Sequence, residues 1–225
     1  MKRQLAVLAT VSLLALAAAA PALALETVAP AAAATDAGAI QAPPLQYRER
    51  TLANGLRVLS IQDRSSPTVS TQMWYNVGSK DDPQGRSGFA HLFEHVMSRQ
   101  TRNIPRGYIN QLVEDVGGAR NASTSSDWTN YYEVVPSQYL ETMLWTHAER
   151  MDRLVVDESV FNAERDIVKE ELRQRVLAEP YGRLQRYVIP ENSFRVSPYH
   201  RSGIGSIEQL NAATIDDARA FHDTF

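Results

Sequence analysis

The chain has 225 residues and not one cysteine. Disulfide staples and thiol chemistry are therefore excluded, and stability has to come from core burial and from any metal the chain holds. No internal repeat divides it. Basic charge is not in excess either: 23 Lys and Arg stand against 26 Asp and Glu, a formal net charge of −3, so no nucleic-acid partner is suggested. Histidine is scarce, with five residues in all, which makes any pair of them at a regular spacing worth following.

Large apolar residues are sparse in one long stretch. Leu25 to Pro44 is rich in Ala and Pro and poor in core-forming side chains, so it reads as a flexible spacer. Before it, Met1-Lys2-Arg3 leads into an Ala/Leu-rich run from Leu5 to Ala20, then Pro21 and Ala22-Leu23-Ala24. This is the pattern of a signal peptide, residues 1–24, cleaved after an A-x-A site. An uncleaved anchor fits less well, because the run is short, contains Thr10 and Ser12 and lacks a charged stop on its far side. The chain is thus expected to be exported, to the periplasm of a Gram-negative bacterium or as a secreted protein, with no membrane attachment once the leader is gone. Cleavage removes two basic and no acidic residues, leaving a net charge of −5. Folded structure is expected over residues 45–225, enough for one domain.

Within that span, His91-Leu92-Phe93-Glu94-His95 is an H-x-x-E-H run in a segment of helical apolar spacing. Residues four apart on a helix face the same way, so His91 and His95 aim two imidazoles at one spot with Glu94 beside them. Two imidazoles suit one zinc ion, and a neighbouring carboxylate can act as base towards a metal-bound water. Hydrolysis of a peptide bond is the reaction class this suggests. A solvated helix face that clusters His, Glu and His without metal is the plain alternative.

A catalytic zinc takes three protein ligands and keeps one position open. In Asp157 to Val176, the residues Val160, Ile167, Val168, Leu172 and Val176 recur at helical spacing, and Glu164 and Glu171 fall on or beside that face two turns apart. Buried carboxylates need partners, and a metal for one with a hydrogen-bond network for the other meets that need. Spacing alone does not choose between Glu171 and Glu164. Glu170 lies about 100° further round and is expected in solvent.

The remaining pattern is α+β, with an antiparallel-rich sheet packed against helices. Asn54-Gly55 marks a hairpin turn into a strand at Leu56 to Ile61, and Thr68 to Val77 reads as another. The metal helix starts near Ser87, a loop follows at Thr101 to Arg106, and a helix from Tyr108 to Val116 is closed by Gly117-Gly118. Tyr131 to Val135 is a strand stopped by Pro136. Ser137 to Leu154 is a core helix with Leu140, Leu144, Ala148, Met151 and Leu154 on its inner face. On it His147 is structural, and His200 and His222 are surface residues.

Three ordered segments resemble the pitrilysin/insulinase family of zinc peptidases: Gly88-Phe89-Ala90-His91-Leu92-Phe93-Glu94-His95, Gly117-Gly118-Ala119-Arg120-Asn121-Ala122-Ser123-Thr124, and Glu164-Arg165-Asp166-Ile167-Val168-Lys169-Glu170-Glu171. The resemblance runs from about Leu45 to Phe225 and matches the first of the two related halves of a usual member. It implies zinc on His91, His95 and Glu171, Glu94 as general base, and Glu164 as a supporting acid near the metal. It also implies that Asn121 and Ala122 lie on a strand edge to which an extended peptide adds by backbone hydrogen bonds. The substrate expected is a short peptide or an unfolded protein.

Two departures accompany it. Ser98 and Gln100 stand where the family usually has an aromatic residue and a glycine. The chain also stops at Phe225, where relatives continue with a further strand and a second half that helps hold substrate. An incomplete N-terminal half domain is therefore expected, requiring a second-half domain or a partner subunit. A catalytically incomplete portion that binds zinc or peptide without turnover is the rival expectation, and a metal-stabilised structural module a third.

Overall fold

The computed structural model describes residues 44–225, so the leader expected at 1–24 and the spacer expected at 25–44 lie outside the described residues, Pro44 excepted. The chain divides into two units at Ile61 and Gln62. In the first, β1 (Arg48–Thr51) and β2 (Arg57–Ser60) form the expected antiparallel hairpin. Its turn closes through Gly55 N–H to Leu52 O at 2.9 Å, with Gly55 at φ +87°, a conformation that favours glycine.

The second unit holds a three-stranded antiparallel sheet in the order β3-β5-β4, where β3 is Thr68–Tyr75, β4 is Ala119–Thr124 and β5 is Thr129–Pro136. On the central strand Tyr131, Glu133 and Val135 alternate inward and are buried. Among the described residues β4 pairs with β5 alone, so its outer edge is free. Between β3 and β4 run α1 (Phe89–Met97) and α2 (Tyr108–Asp115). After β5 come α3 (Leu140–Asp152), α4 (Glu158–Leu172), α5 (Ile189–Ser193), α6 (Ile207–Ala212) and α7 (Ile215–Thr224). Helix α4 continues in a π-helical turn, Arg173–Leu177.

The core is built between α1 and α4. Phe89, Leu92, Phe93, Val96 and Met97 recur at three- and four-residue steps and pack with Val160, Phe161, Val168 and Leu172, closed by Phe221 of α7. Each such side chain fully buried contributes roughly 1.5–3 kcal/mol of transfer free energy. Burying this face of α1 turns His91 and His95 the other way. The start of the helix is fixed by Asp82, whose buried carboxylate accepts the N–H groups of Gly88 and Ala90, each at 2.7 Å. Burial pushes the Asp82 carboxyl up to about 7, although these amide bonds pull the other way. Gly88 has φ +87° and packs so tightly on the 204–205 loop that an added Cβ would lie 2.5 Å from Ile204 O. Any larger residue there would force the 204–205 loop or the start of α1 to shift.

Helix α3 departs from expectation. Leu140, Leu144 and Ala148 are exposed, and the buried positions are Met143, Thr146, His147, Glu149 and Arg150. The reason is Glu133, which faces inward from the central strand. Arg150 Nη2 lies 2.8 Å from Glu133 Oε1, and His147 Nε2 lies 2.8 Å from Oε2. A buried carboxylate draws the face of the helix that carries His147 and Arg150 onto the sheet and turns Leu140 and Leu144 out, while Leu154 stays partly buried against the core. On α4, Ile167 likewise ends up exposed, one step off the stripe of Val160, Val168 and Leu172.

Candidate metal centre

His91 and His95 leave α1 on adjacent turns, and Glu171 reaches them from the last turn of α4. Glu171 Oε2 lies 3.7 Å from His91 Nε2 and 3.6 Å from His95 Nε2. One ligand atom from each of the three residues falls within 4.8 Å of the others. Atoms bound at about 2.0–2.1 Å to a tetrahedral ion sit roughly 3.3 Å apart, so two imidazole nitrogens and one carboxylate oxygen at these separations fit zinc. Arg175 Nη1 donates to the other oxygen, Glu171 Oε1, at 2.6 Å and holds the carboxylate from behind.

Glu164, the other acid left open by spacing, has a different setting. Its side chain is fully buried, and it meets His95 Nδ1 at 3.5 Å, on the far side of the ring from Glu171. Arg99 Nη2 donates to it at 2.6 Å and Arg106 Nη2 at 3.3 Å. A carboxylate on the second ring nitrogen orients a metal-binding histidine and fixes its tautomer. Burial pushes against ionisation of Glu164, but His95 and Arg99 win and hold its carboxyl below the usual range. His91 has no such support: its Nδ1 is buried without a partner among the described residues.

The two histidines titrate in opposite directions. Burial, with repulsion from His95, lowers His91 to about 4, so at neutral pH it is the neutral imidazole that a metal needs. Burial also works against charge on His95, yet the bonds to Glu164 and Glu171 raise it to about 9. Glu94 is nearly buried, and burial raises its carboxyl while the hydroxyl of Thr124, donating to Glu94 Oε2, opposes that rise. A carboxylate moved towards neutral pH is suited to taking and returning a proton.

These groups open onto one cleft of about 710 Å³, lined by His91, Glu94, His95 and Glu171 and by Asn121 to Thr124 on the free edge of β4. All the residues singled out in the sequence thus meet here, with Glu164 behind His95. Sequence reasoning missed Thr124, Arg99 and Arg106. Thr124 shares a strand face with Ala122, and period-two alternation points to it. Arg99 follows His95 at the next helical step of four, a weak signal, and Arg106 has none.

Comparison with known proteins bears on this geometry. The family model for insulinase (peptidase family M16) matches residues 57–205. The zinc protease PqqE of Helicobacter pylori is 34% identical over 181 residues, covering 80% of this chain and 40% of that protein. A probable mitochondrial-processing peptidase subunit beta of Arabidopsis thaliana is 27% identical over 182 residues, covering 80% of this chain and 33% of that one. The crystal structure of a protease from Helicobacter pylori superimposes with a TM-score of 0.75 at 32% identity, over 79% of this chain and 42% of the other. The chain thus spans less than half the length of these relatives.

Proposed function

Because the chain belongs to the insulinase family, peptidase family M16, we propose that it forms the zinc-binding portion of an endopeptidase that cuts extended or short peptides. The observation that carries this reading is the convergence of His91, His95 and Glu171 within 4.8 Å in the cleft that also holds Glu94 and the free edge of β4. His91, His95 and Glu171 hold one zinc ion, with Glu164 fixing the ring of His95. When bound, zinc supplies a Lewis acid that polarises a carbonyl and lowers the pKa of water.

The chain's own residues do the rest. A peptide laid along the outer edge of β4 pairs with the backbone at Asn121 and Ala122, which makes recognition largely independent of side chains. Glu94, steadied through Oε2 by Thr124, takes a proton from the attacking water as its oxygen bonds to the carbonyl carbon. As the C–N bond breaks, Glu94 returns that proton to the departing nitrogen. The leader pattern at residues 1–24 supports an exported enzyme working in the periplasm or outside the cell.

A second reading is a portion that holds zinc and peptide but turns nothing over without another half or subunit. It is supported by the chain spanning 40% of one relative and 33% of another, the latter named as a subunit. One experiment addresses both. Peptide cleavage is measured with the purified zinc-loaded chain, alone and with a second-half domain supplied in trans. Cleavage by the chain alone favours the first reading, and cleavage only with the added half favours the second. Absence of zinc binding defeats both.

A further inference from the structure

One partly buried arginine in the cleft has no ion-pair partner among the described residues. Arg120, on β4, shares a strand face with Ala122 and Thr124 and lines the same cleft as the histidines. Its Nη1 donates to Asn110 Oδ1. Its Nε is closed off from solvent with no partner among the described residues. Glu133, opposite Arg120 in the sheet register, is already engaged by Arg150 and His147 at 2.8 Å each. Arg99 and Arg175 also line the cleft, but they are committed to Glu164 and Glu171, and Arg186, the remaining arginine there, is exposed to solvent. Burial, then repulsion from Arg150, lowers the pKa of Arg120 despite attraction from Glu133, the mark of a poorly compensated charge. This positive site sits on a chain of net charge −3, so it is not the by-product of a basic surface.

We propose that Arg120 is a specificity residue that takes a carboxylate of the substrate on its guanidinium. A guanidinium matches a carboxylate in charge-assisted hydrogen bonds, and the charge of Arg120 gains the counter-ion it lacks. The inference rests on the peptidase reading above and adds a substrate class to it: peptides with a carboxylate at a set distance from the bond cut. Thr124, which touches Glu94, marks the reacting end of β4. Arg120 lies four residues up the strand, about 13 Å of extended chain, so the carboxylate falls roughly three to five residues from that bond. An acidic side chain and a free carboxyl terminus present the same group.

The test uses the whole chain carrying Glu94→Gln and loaded with zinc, so that peptides stay intact, and reads binding by fluorescence anisotropy. The probes are end-blocked peptides of about twelve otherwise uncharged residues, long enough to span the strand, each carrying Glu, Gln or Lys at one of successive positions. A second set has no Glu and ends in a free or an amidated carboxyl terminus. About tenfold tighter binding is expected for Glu over Gln at one position, or for the free terminus over the amide, the scale of a charge-assisted hydrogen bond. Whichever set shows the preference identifies the source of the carboxylate. Arg120→Gln should abolish the preference, Arg120→Lys keep part of it, and Arg120→Glu favour Lys-bearing peptides instead. Circular dichroism and zinc content of each variant report that the fold is intact. Equal binding of all peptides, or a preference that survives Arg120→Gln, overturns the proposal and leaves the peptidase reading standing. Failure of the zinc-loaded chain to bind any peptide strikes at the peptidase reading and takes the proposal with it.

Discussion

Two clusters in this chain combine histidine, glutamate and arginine, and they are built to opposite ends. In the first, Glu133, His147 and Arg150 are all buried, and the glutamate meets both partners at 2.8 Å while Thr71 donates to it at 3.1 Å. In the second, Glu171 stands 3.6–3.7 Å from two imidazole nitrogens at the wall of a cleft. Contacts of 2.8–3.1 Å at both carboxylate oxygens of Glu133 leave no gap for an ion there, so the first cluster joins β5 to α3. The second leaves a gap of the size an ion fills. Residue type does not separate structure from chemistry here; spacing and access do.

The comparison breaks most sharply at Glu133. Glu133→Ala strands Arg150 and His147 in the interior, and a loss of about 3–5 kcal/mol is expected in urea unfolding, with zinc content of the folded fraction unchanged. The same group sets an acid limit. Burial opposes its charge, but His147 and Arg150 prevail and hold the Glu133 carboxyl at about 2 against 4.5 for the free side chain. Its folded value is depressed, so its contribution is complete above pH 4.5 and is lost as pH falls from there towards 2. A wild-type chain whose stability, relative to Glu133→Gln, stays flat over that window would show that the cluster is not ionised.

In the open cluster the effects move from stability to chemistry. Glu94→Gln should keep its zinc and lower turnover of an active assembly by at least ~10²-fold; loss of zinc in that variant would remove Glu94 from the role of base. Glu171→Gln should weaken zinc binding as the loss of a direct ligand, measured by competition with a chelator. Glu164→Gln, acting through His95, should cost roughly 10–100-fold in zinc affinity or activity. Full zinc retention in Glu171→Gln would mean that the third ligand lies elsewhere. The smallest effect belongs to α3, where Leu144 is 51% exposed. Leu144→Gln should change stability by about 0.5 kcal/mol or less, and a larger loss would restore the leucine face to the core.

Much of the site is local and therefore legible in the chain. A period of four puts His91 and His95 on one helical face, and the apolar residues between them say which face is turned to the core. The hairpin at Asn54-Gly55 and the strand ending at Pro136 follow from turn chemistry and alternation in the same way. The face of α3 was not legible, because its leucines recur at helical spacing but the opposite face carries His147 and Arg150, whose partner Glu133 comes from another element. Arg106 on Glu164 and Thr124 on Glu94 were hidden for the same reason: 58 and 30 residues separate the partners.

The roles of Glu164 and Glu171 show where the boundary falls. Helical geometry by itself determined that the two carboxylates, two turns apart, share one side of α4, and that histidines four apart on α1 meet at one point. Only the packing of α4 against α1 decided which carboxylate faces both Nε2 atoms and which is sealed behind His95 with two arginines. That choice depends on the rotation of one helix against another, which is set by the whole core of Phe89, Leu92, Val160, Val168 and Phe221. Backbone periodicity acts over a few residues, whereas the placement of a charge beside its partner is settled by side chains distant in sequence.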